Sequence, residues 1–231
     1  MFGKKKKRQV LRIEKGQWAQ IWESFKQNKL AMISMVVLLL IVLGALSADL
    51  FMDYQTKALG QNPLERLQSP SAIHWFGTDQ YGRDLFARII FGSRYSLIFG
   101  IGCTGLSLLL GSVFGAMAAY YGGKIDAVMM RILDALMCIP GMLLTLALVA
   151  VIGSGLTSLT VAITISSVPG FTRMTRSVVL SVVQQDFVEA ARSCGTKDRD
   201  IILFHVIPNA VGPIIVNGMM NIAGIIMSAA G

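Results

Sequence analysis

The sequence is poor in charge, and the shortage is concentrated in long stretches. Only 15% of its 231 residues are charged, against about a quarter in an ordinary soluble domain. No formal charge occurs over residues 30–48, 95–123, 135–172 or 206–231. Each tract reaches roughly the 20 residues that an α-helix needs to cross a bilayer. One such tract would suit a buried core helix; several in one chain exclude a soluble fold and point to membrane embedding. Cysteine is scarce as well. Cys103, Cys138 and Cys194 are widely spaced with no CxxC pair, which excludes a disulfide framework and a metal site and leaves reduced thiols packed as small hydrophobes.

Other absences narrow the chemistry. There is no GxxxxGK[ST], so the chain does not hydrolyse ATP itself. There is no HExxH or GxSxG, and His74 and His205 are the only histidines. No catalytic residues, metal ligands or cofactor site are therefore expected. The charge-free tracts also disfavour ion-coupled transport, which needs an ionisable group within the membrane. Asp49, at the outer end of the first tract, is the one candidate and reads as interfacial.

The charge that is present is lopsided. The net charge is +8, and nine of the 21 Lys and Arg precede residue 30. A basic flank ahead of an apolar run is what the positive-inside bias and anionic lipid favour, so the N-terminus is expected in the cytoplasm. The basic arm at Lys4 to Arg8 is weighed against nucleic-acid binding and assigned to the membrane surface. Residues 1–29 read as this tail followed by an amphipathic helix with Trp18, Ile21, Trp22 and Phe25 on one face. The first apolar run is too long for a signal-peptide core and reads as a retained anchor.

Alternation then orders the chain. Spans are expected at about 30–50, 95–121, 135–152, 156–172 and 207–231. Residues 53–94, with Pro63, Pro70 and mixed charge, fall outside the cell. Residues 122–134 form a short polar cytoplasmic connection, and 173–205 return to the cytoplasm. Gly100, Gly102, Gly105, Gly111 and Gly115 recur along the second span, which suits close helix packing. The chain stops inside an apolar run, which leads us to expect a truncated sequence. The whole is one all-α membrane domain, 30–231, behind the N-terminal segment 1–29.

Residues 186–209 read DFVEAARSCGTKDRDIILFHVIPN. Asp186 to Cys194 has helical composition, and Gly195 suits the left-handed position that closes a helix. Thr196 is expected to cap a second helix, with Asp198 and Asp200 near its positive end, and Pro208 to end it. Ala190 and Ala191 offer a small-residue surface; Phe187, Val188, Ile201 and Ile202 offer apolar anchors. Physical chemistry alone leaves two readings open: an amphipathic loop packed on its own protein, or a docking site.

Glu189-Ala190-Ala191, three residues, Gly195, nine residues and His205-Val206-Ile207-Pro208 resemble the EAA motif of binding-protein-dependent ABC importer permeases. His205 and Ile207 stand where that motif has Ile and Leu, with the spacing intact. The resemblance implies that Glu189, Ala190, Ala191, Gly195 and Pro208 belong to a coupling loop, 186–208, seated on an ATPase subunit. A second string, His74, Gly77, Thr78, Asp79, Gly82, Arg83 and Asp84, resembles the outer segment of the dipeptide, oligopeptide and nickel permease group. Trp75-Phe76 replaces the more usual Pro-Leu there. These residues either hold a tight surface turn by bonding one another or contact a substrate-binding protein. The early run SFKQNKLAMISMVVLLLIVL and the Arg131/Asp134/Pro140 spacing are also similar to that group; Arg131 and Asp134, at i,i+3, are expected to pair.

The resemblance implies a type I ABC importer transmembrane domain, five spans being visible and a sixth missing. It implies a non-enzymatic permease in a bacterial or archaeal inner membrane. Its partners would be a homologous permease, two ATPase subunits carrying ATP and Mg, and an extracytoplasmic binding protein. The cargo would be peptides, or else nickel, metal chelates or glutathione-like solutes. Thr104, Ser107, Thr164, Asn217 and Asn221 either line the path or make interhelical hydrogen bonds. A membrane enzyme and a secondary transporter or channel are the rival classes; stable association with ATPase subunits separates the permease from both.

Overall fold

The computed structural model describes residues 17–230, with side chains described from residue 22 onward apart from Phe51 and Ala230. The basic tail and the side chains of Trp18 and Ile21 lie outside the described residues. Among those described there is no strand, and a lone bridge joins Thr78 to Asp84. The chain divides into two compact units, up to Arg94 and from Tyr95 onward.

In the first unit, α1 (Gln17–Gln27) is followed at once by α2 (Lys29–Phe51). The break falls on Asn28, whose side chain accepts from the amides of Leu30 and Ala31 at 3.1 and 3.2 Å and so satisfies two N-terminal donors of α2. Within α1, Trp22 stacks on Phe25 at 5.8 Å and Lys26 lies over the Trp22 ring. Helix α2 is apolar all round, the composition of a lipid-facing span. Its far end packs through Ala48 against Ala87 and Phe91, with Ala58 from the connecting segment. Arg94 there donates to the carbonyl of Ala45 and pairs with Asp49 at 2.9 Å. Asp49 is thus ion-paired at the end of its helix.

The second unit holds most of α3 (Leu85–Tyr121), then α4 (Gly123–Met137), α5 (Gly141–Ile152), α6 (Leu156–Val183), α7 (Asp186–Ser193), the single turn α8 (Asp198–Asp200) and α9 (Ile207–Ala230). Helices α2, α3 and the run from Asp198 to Ala229 are each long and apolar enough to cross a membrane. Gly111 and Gly115 let α3 lie directly on α6. A Cβ at Gly111 would meet the amide nitrogen of Thr172 at 2.9 Å, and one at Gly115 would meet its carbonyl oxygen at 2.5 Å. The small-residue spacing does pack helices closely here, whereas Gly102 and Gly105 face open space.

Several expected boundaries are corrected. Residues 135–152 are not one straight span: α4 and α5 meet at a bend of 85°. The cause is Pro140, which has no amide to donate and restricts the residue before it, so α4 stops at Met137 and a new helix starts at Gly141. Residues 122–134, expected as a connection, are helical. The helix that carries the second expected span begins ten residues before Tyr95, at Leu85, because Asp84 caps it. Helix α6 runs on past residue 172 to Val183, carrying Arg173 and Arg176. Those arginines explain a further correction: Asp134 pairs with Arg173, not with Arg131. Asp126 likewise takes both nitrogens of the Arg176 fork at 2.5 Å, a planar two-bond match that lysine could not make.

The cysteines are all free. Cys103 is buried as expected, but Cys138 and Cys194 are exposed on this chain.

Candidate functional site: a two-helix elbow and a knotted polar turn

The elbow is built by its C-terminal cap. At the end of α7 the amide of Gly195 donates to the carbonyl of Arg192 at 2.9 Å, and that of Thr196 to Ala191 at 3.2 Å. This pair of bonds requires a left-handed residue between them, and Gly195 supplies it at φ 76°. The chain then turns through Lys197, not Thr196, into α8, and no side chain caps that helix. Thr196 is spent in the α7 cap through its backbone, which corrects the capping expectation.

Pro208 also departs from its expected role. The helix does not end there: residues 201–206 form a wider, π-helical turn that leads straight into α9. Proline lacks the amide that would bond back to the preceding turn, and the shifted register falls just ahead of it. A continuous rod thus connects the elbow to the membrane helix.

One side of the elbow is anchored. Val188, Ile201 and Val206 are fully buried with Ala116, Ala119 and Tyr120 of α3 and Val179 and Val182 of α6. Burial of each such side chain contributes about 1.5–3 kcal/mol. Tyr120 donates its hydroxyl to Asp198 at 2.6 Å, and Arg192 stacks on the Tyr120 ring at 4.7 Å. Of the four proposed apolar anchors, Val188 and Ile201 therefore serve the chain's own core, with Phe187 and Ile202 packed at its edge. The other side is bare. Glu189 and Ala190 are exposed, Ala191 is half-buried, and Glu189, Arg192 and Ser193 line a cleft with Gln184 and Gln185 at the α6–α7 junction.

The string from His74 to Asp84 is arranged differently. Asp79 accepts from the amides of Tyr81 and Arg83 at 2.8 and 3.1 Å and pairs with Arg83 and Arg88. Burial alone would raise its carboxyl, but those amides and the Arg83 guanidinium outweigh it and hold the pKa at about 2. Thr78 accepts from the amide of Gln68 at 2.8 Å and donates to the carbonyl of Glu65. Asp84 caps α3 by accepting from the Ala87 amide at 3.0 Å, and its other oxygen meets His74 Nδ1 at 2.9 Å. Glu65 stands 3.6 Å from His74 Nε2. Burial pushes the Asp84 carboxyl up, yet the Ala87 amide and His74 lower it overall. Gly77 and Gly82 both have φ near 75°. A Cβ on Gly82 would sit 1.8 Å from the Asn62 carbonyl oxygen. All seven residues of the string are therefore used inside one turn.

Of the residues weighed as path lining, Thr104, Ser107 and Thr164 are buried in the α3–α6 seam, where Ser107 donates to the Thr164 carbonyl at 3.4 Å. Asn217 and Asn221 instead face a groove of about 420 Å³ together with Ser166 and Ser167. The two serines were not singled out in the sequence. Ser166, two residues after Thr164, falls on the opposite side of α6, and Ser167, three residues on, lies beside the seam; which of these positions borders a groove depends on the neighbouring helices.

Residues 111–231 match the family described as the binding-protein-dependent transport system inner membrane component. Residues 16–70 match the N-terminal transmembrane domain of oligopeptide transport permease C. The chain is 39% identical to a dipeptide transport system permease protein of Alkalihalophilus pseudofirmus, over 92% of this chain and 69% of that one. This chain belongs to the binding-protein-dependent permease family. A glutathione transport system permease of Pectobacterium atrosepticum is 37% identical, over 92% of this chain and 70% of its own. An oligopeptide transport system permease of Bacillus subtilis is 35% identical over 92% and 69%. The fold is accordingly a type I ABC importer membrane domain. Such a permease is a transport subunit rather than an enzyme, and the apolar helices above are its membrane part.

Proposed function

We propose that this permease carries peptides or chemically related small solutes, and that residues 186–208 transmit the ATPase stroke to its membrane helices. The observation that carries this is the two-sided elbow: Val188, Ile201 and Val206 lock it to α3 and α6, while Glu189 and Ala190 stay bare. The anchored side ties the loop to the rod into α9, and the bare side leaves Glu189 and Ala190 open to a partner surface. The peptide cargo is supported by the named dipeptide, oligopeptide and glutathione relatives; nickel is the more distant alternative. The partners are a homologous permease, two ATPase subunits that bind ATP and Mg, and a binding protein. The basic N-terminus lies in the cytoplasm, and residues 53–94 lie outside the inner membrane. Asn217, Asn221, Ser166 and Ser167 are the best-placed groups to face the cargo, because an uncharged hydrogen-bonding groove suits a peptide backbone.

The test is protection. In a variant with Cys103, Cys138 and Cys194 replaced by Ser, Ala190→Cys is exposed to a maleimide in membranes stripped of peripheral proteins. Labelling is expected to be rapid and to fall on adding back the ATPase subunits. Labelling that is unchanged by those subunits would sink the docking assignment.

A further inference from the structure

The outer string is self-satisfied in its polar groups, but the residues threaded through it are not. Ile73, Trp75 and Phe76 are 75%, 63% and 53% exposed. The two rings stand on Phe86, with centroids 5.0 and 5.3 Å away. An indole, a phenyl and an isoleucine this bare would be costly in water if nothing covered them.

Their position says what covers them. The charge-free tract of α2 ends at Ala48, and Ala48 packs on Ala87 and Phe91. Charge reappears one residue later, at the Asp49–Arg94 pair. Phe86 lies next to Ala87, so the rings stand at the level where α2 leaves the hydrocarbon. A shallow cavity there is lined by Met52, Lys57, Trp75, Asp84 and Phe86, which places apolar surface and charges side by side as the headgroup layer requires. The opposite end of α2 has the same composition. Trp22, 47% exposed with Lys26 over its ring, precedes Lys29. Between the two lies a helix of 23 residues, about 34 Å at 1.5 Å per residue, close to a hydrocarbon core of about 30 Å. Tryptophan is enriched at both such boundaries because one edge is apolar and the other donates a hydrogen bond.

We infer that Trp75, with Ile73 and Phe76 braced on Phe86, is a lipid anchor: it seats the outer turn in the phospholipid headgroup layer at the far end of α2. The polar knot from Thr78 to Asp84 then holds its shape against this seated edge, and α3 enters the membrane at a fixed height. The occupant is phospholipid, because Ile73, Trp75 and Phe86 share a cavity wall with Met52, the residue that closes the apolar helix α2.

The chain has three tryptophans, Trp18, Trp22 and Trp75, so Trp18→Phe with Trp22→Phe leaves Trp75 as this chain's one tryptophan, and its emission in the complex is read as the difference from the same complex carrying Trp75→Phe as well. The purified permease complex is reconstituted into vesicles of phosphatidylcholine brominated either near the ester end or near the methyl end of the acyl chains. Loss of most Trp75 emission is expected with the shallow bromines, a smaller loss with the deep ones, and little quenching by aqueous iodide. Quenching by iodide without any effect of brominated lipid overturns the anchor. So does emission that brominated lipid leaves unchanged but the extracytoplasmic binding protein shifts, which would make the patch a protein-docking surface. If the double replacement folds poorly, the difference in emission between the unaltered chain and Trp75→Phe gives the same readout.

Discussion

Gly82 and Gly195 have the same backbone conformation, φ 74° and 76°, in opposite surroundings. At Gly82 an added Cβ would overlap the Asn62 carbonyl at 1.8 Å; at Gly195 it would meet nothing within 4 Å. The first turn is closed on itself, with Asp79, Thr78, Asp84 and His74 all bonded inside it. The second is closed on one side only, by Val188, Ile201 and Val206, and its helix presents Glu189 and Ala190 to whatever lies beyond. A turn whose polar groups are all spent internally maintains a fold. A turn that is packed on one side only, with Glu189 and Ala190 exposed on the other, has surface left for a partner.

Substitution at the two glycines separates space from conformation. Gly82→Asn is expected to give the largest loss, because Asn tolerates the left-handed region but its Cβ has no room. Destabilisation of about 3 kcal/mol is expected from forced displacement of the Asn62 backbone, read as loss of folded complex in a thermal melt. Gly195→Asn, in open space, is expected to fold and to keep coupled uptake. Gly195→Val meets no atom either, but a β-branched residue is a genuine outlier at positive φ, with a strain of about 1–2 kcal/mol. The variant should insert normally, and its ATPase partners should still hydrolyse ATP while coupled uptake is lost. Normal coupled transport in Gly195→Val would remove the elbow from the mechanism, and a stable Gly82→Asn would break the contrast between the turns.

A smaller effect tests how the outer turn is joined to its helix. Asp84→Ala removes the cap on the Ala87 amide and the partner of His74. A loss of about 1 kcal/mol is expected from the cap, visible as faster amide exchange over the first turn of α3. Unchanged exchange there would show that the cap adds nothing to the turn.

The two regions were not equally legible in the sequence. Gly195 could be assigned its left-handed cap from position alone, because a glycine after a helical run with two small residues in it has few other uses. The bonding of the outer string was less accessible. Asp79 and Arg83 lie close enough in the chain to be paired by inspection, but Thr78 bonds to Glu65 and Gln68, and Asp84 to His74, across loops whose path no local rule supplies. The membrane helices divide in the same way. Charge-free length revealed where apolar helices lie, while Pro140 turned one expected span into two helices at 85°, and Pro208, read as a stop, is passed by a π-helical turn. Proline removes one hydrogen bond in both places; at Pro140 the chain bends, and ahead of Pro208 it changes register, with Val206 and Ala210 buried on either side. Ion pairs followed the same rule: i,i+3 proximity favoured Arg131 for Asp134, but the tertiary partner Arg173 won.

Acid provides the mildest way to sharpen the contrast. The Asp79 carboxyl sits at about 2 in the folded turn and near 3.8 in an unconstrained chain. The unfolded turn therefore takes up the proton first as pH falls. The stabilisation is fully present above 3.8 and drains away as pH drops through about 2. Asp84, also lowered, adds in the same direction. The α7 cap at Gly195 is closed by backbone amides and carbonyls, which do not titrate in this range. Limited proteolysis or amide exchange should find the 74–84 turn unchanged between neutral pH and about 5 and progressively loosened below about 4, with the α7 cap comparatively unaffected. Asp79→Asn should flatten the acid dependence of the outer turn, because the neutral amide cannot form the Arg83 and Arg88 ion pairs at any pH. An acid profile that survives this substitution unchanged would assign the sensitivity to Asp84 and leave Asp79 a neutral bracket for the Tyr81 and Arg83 amides.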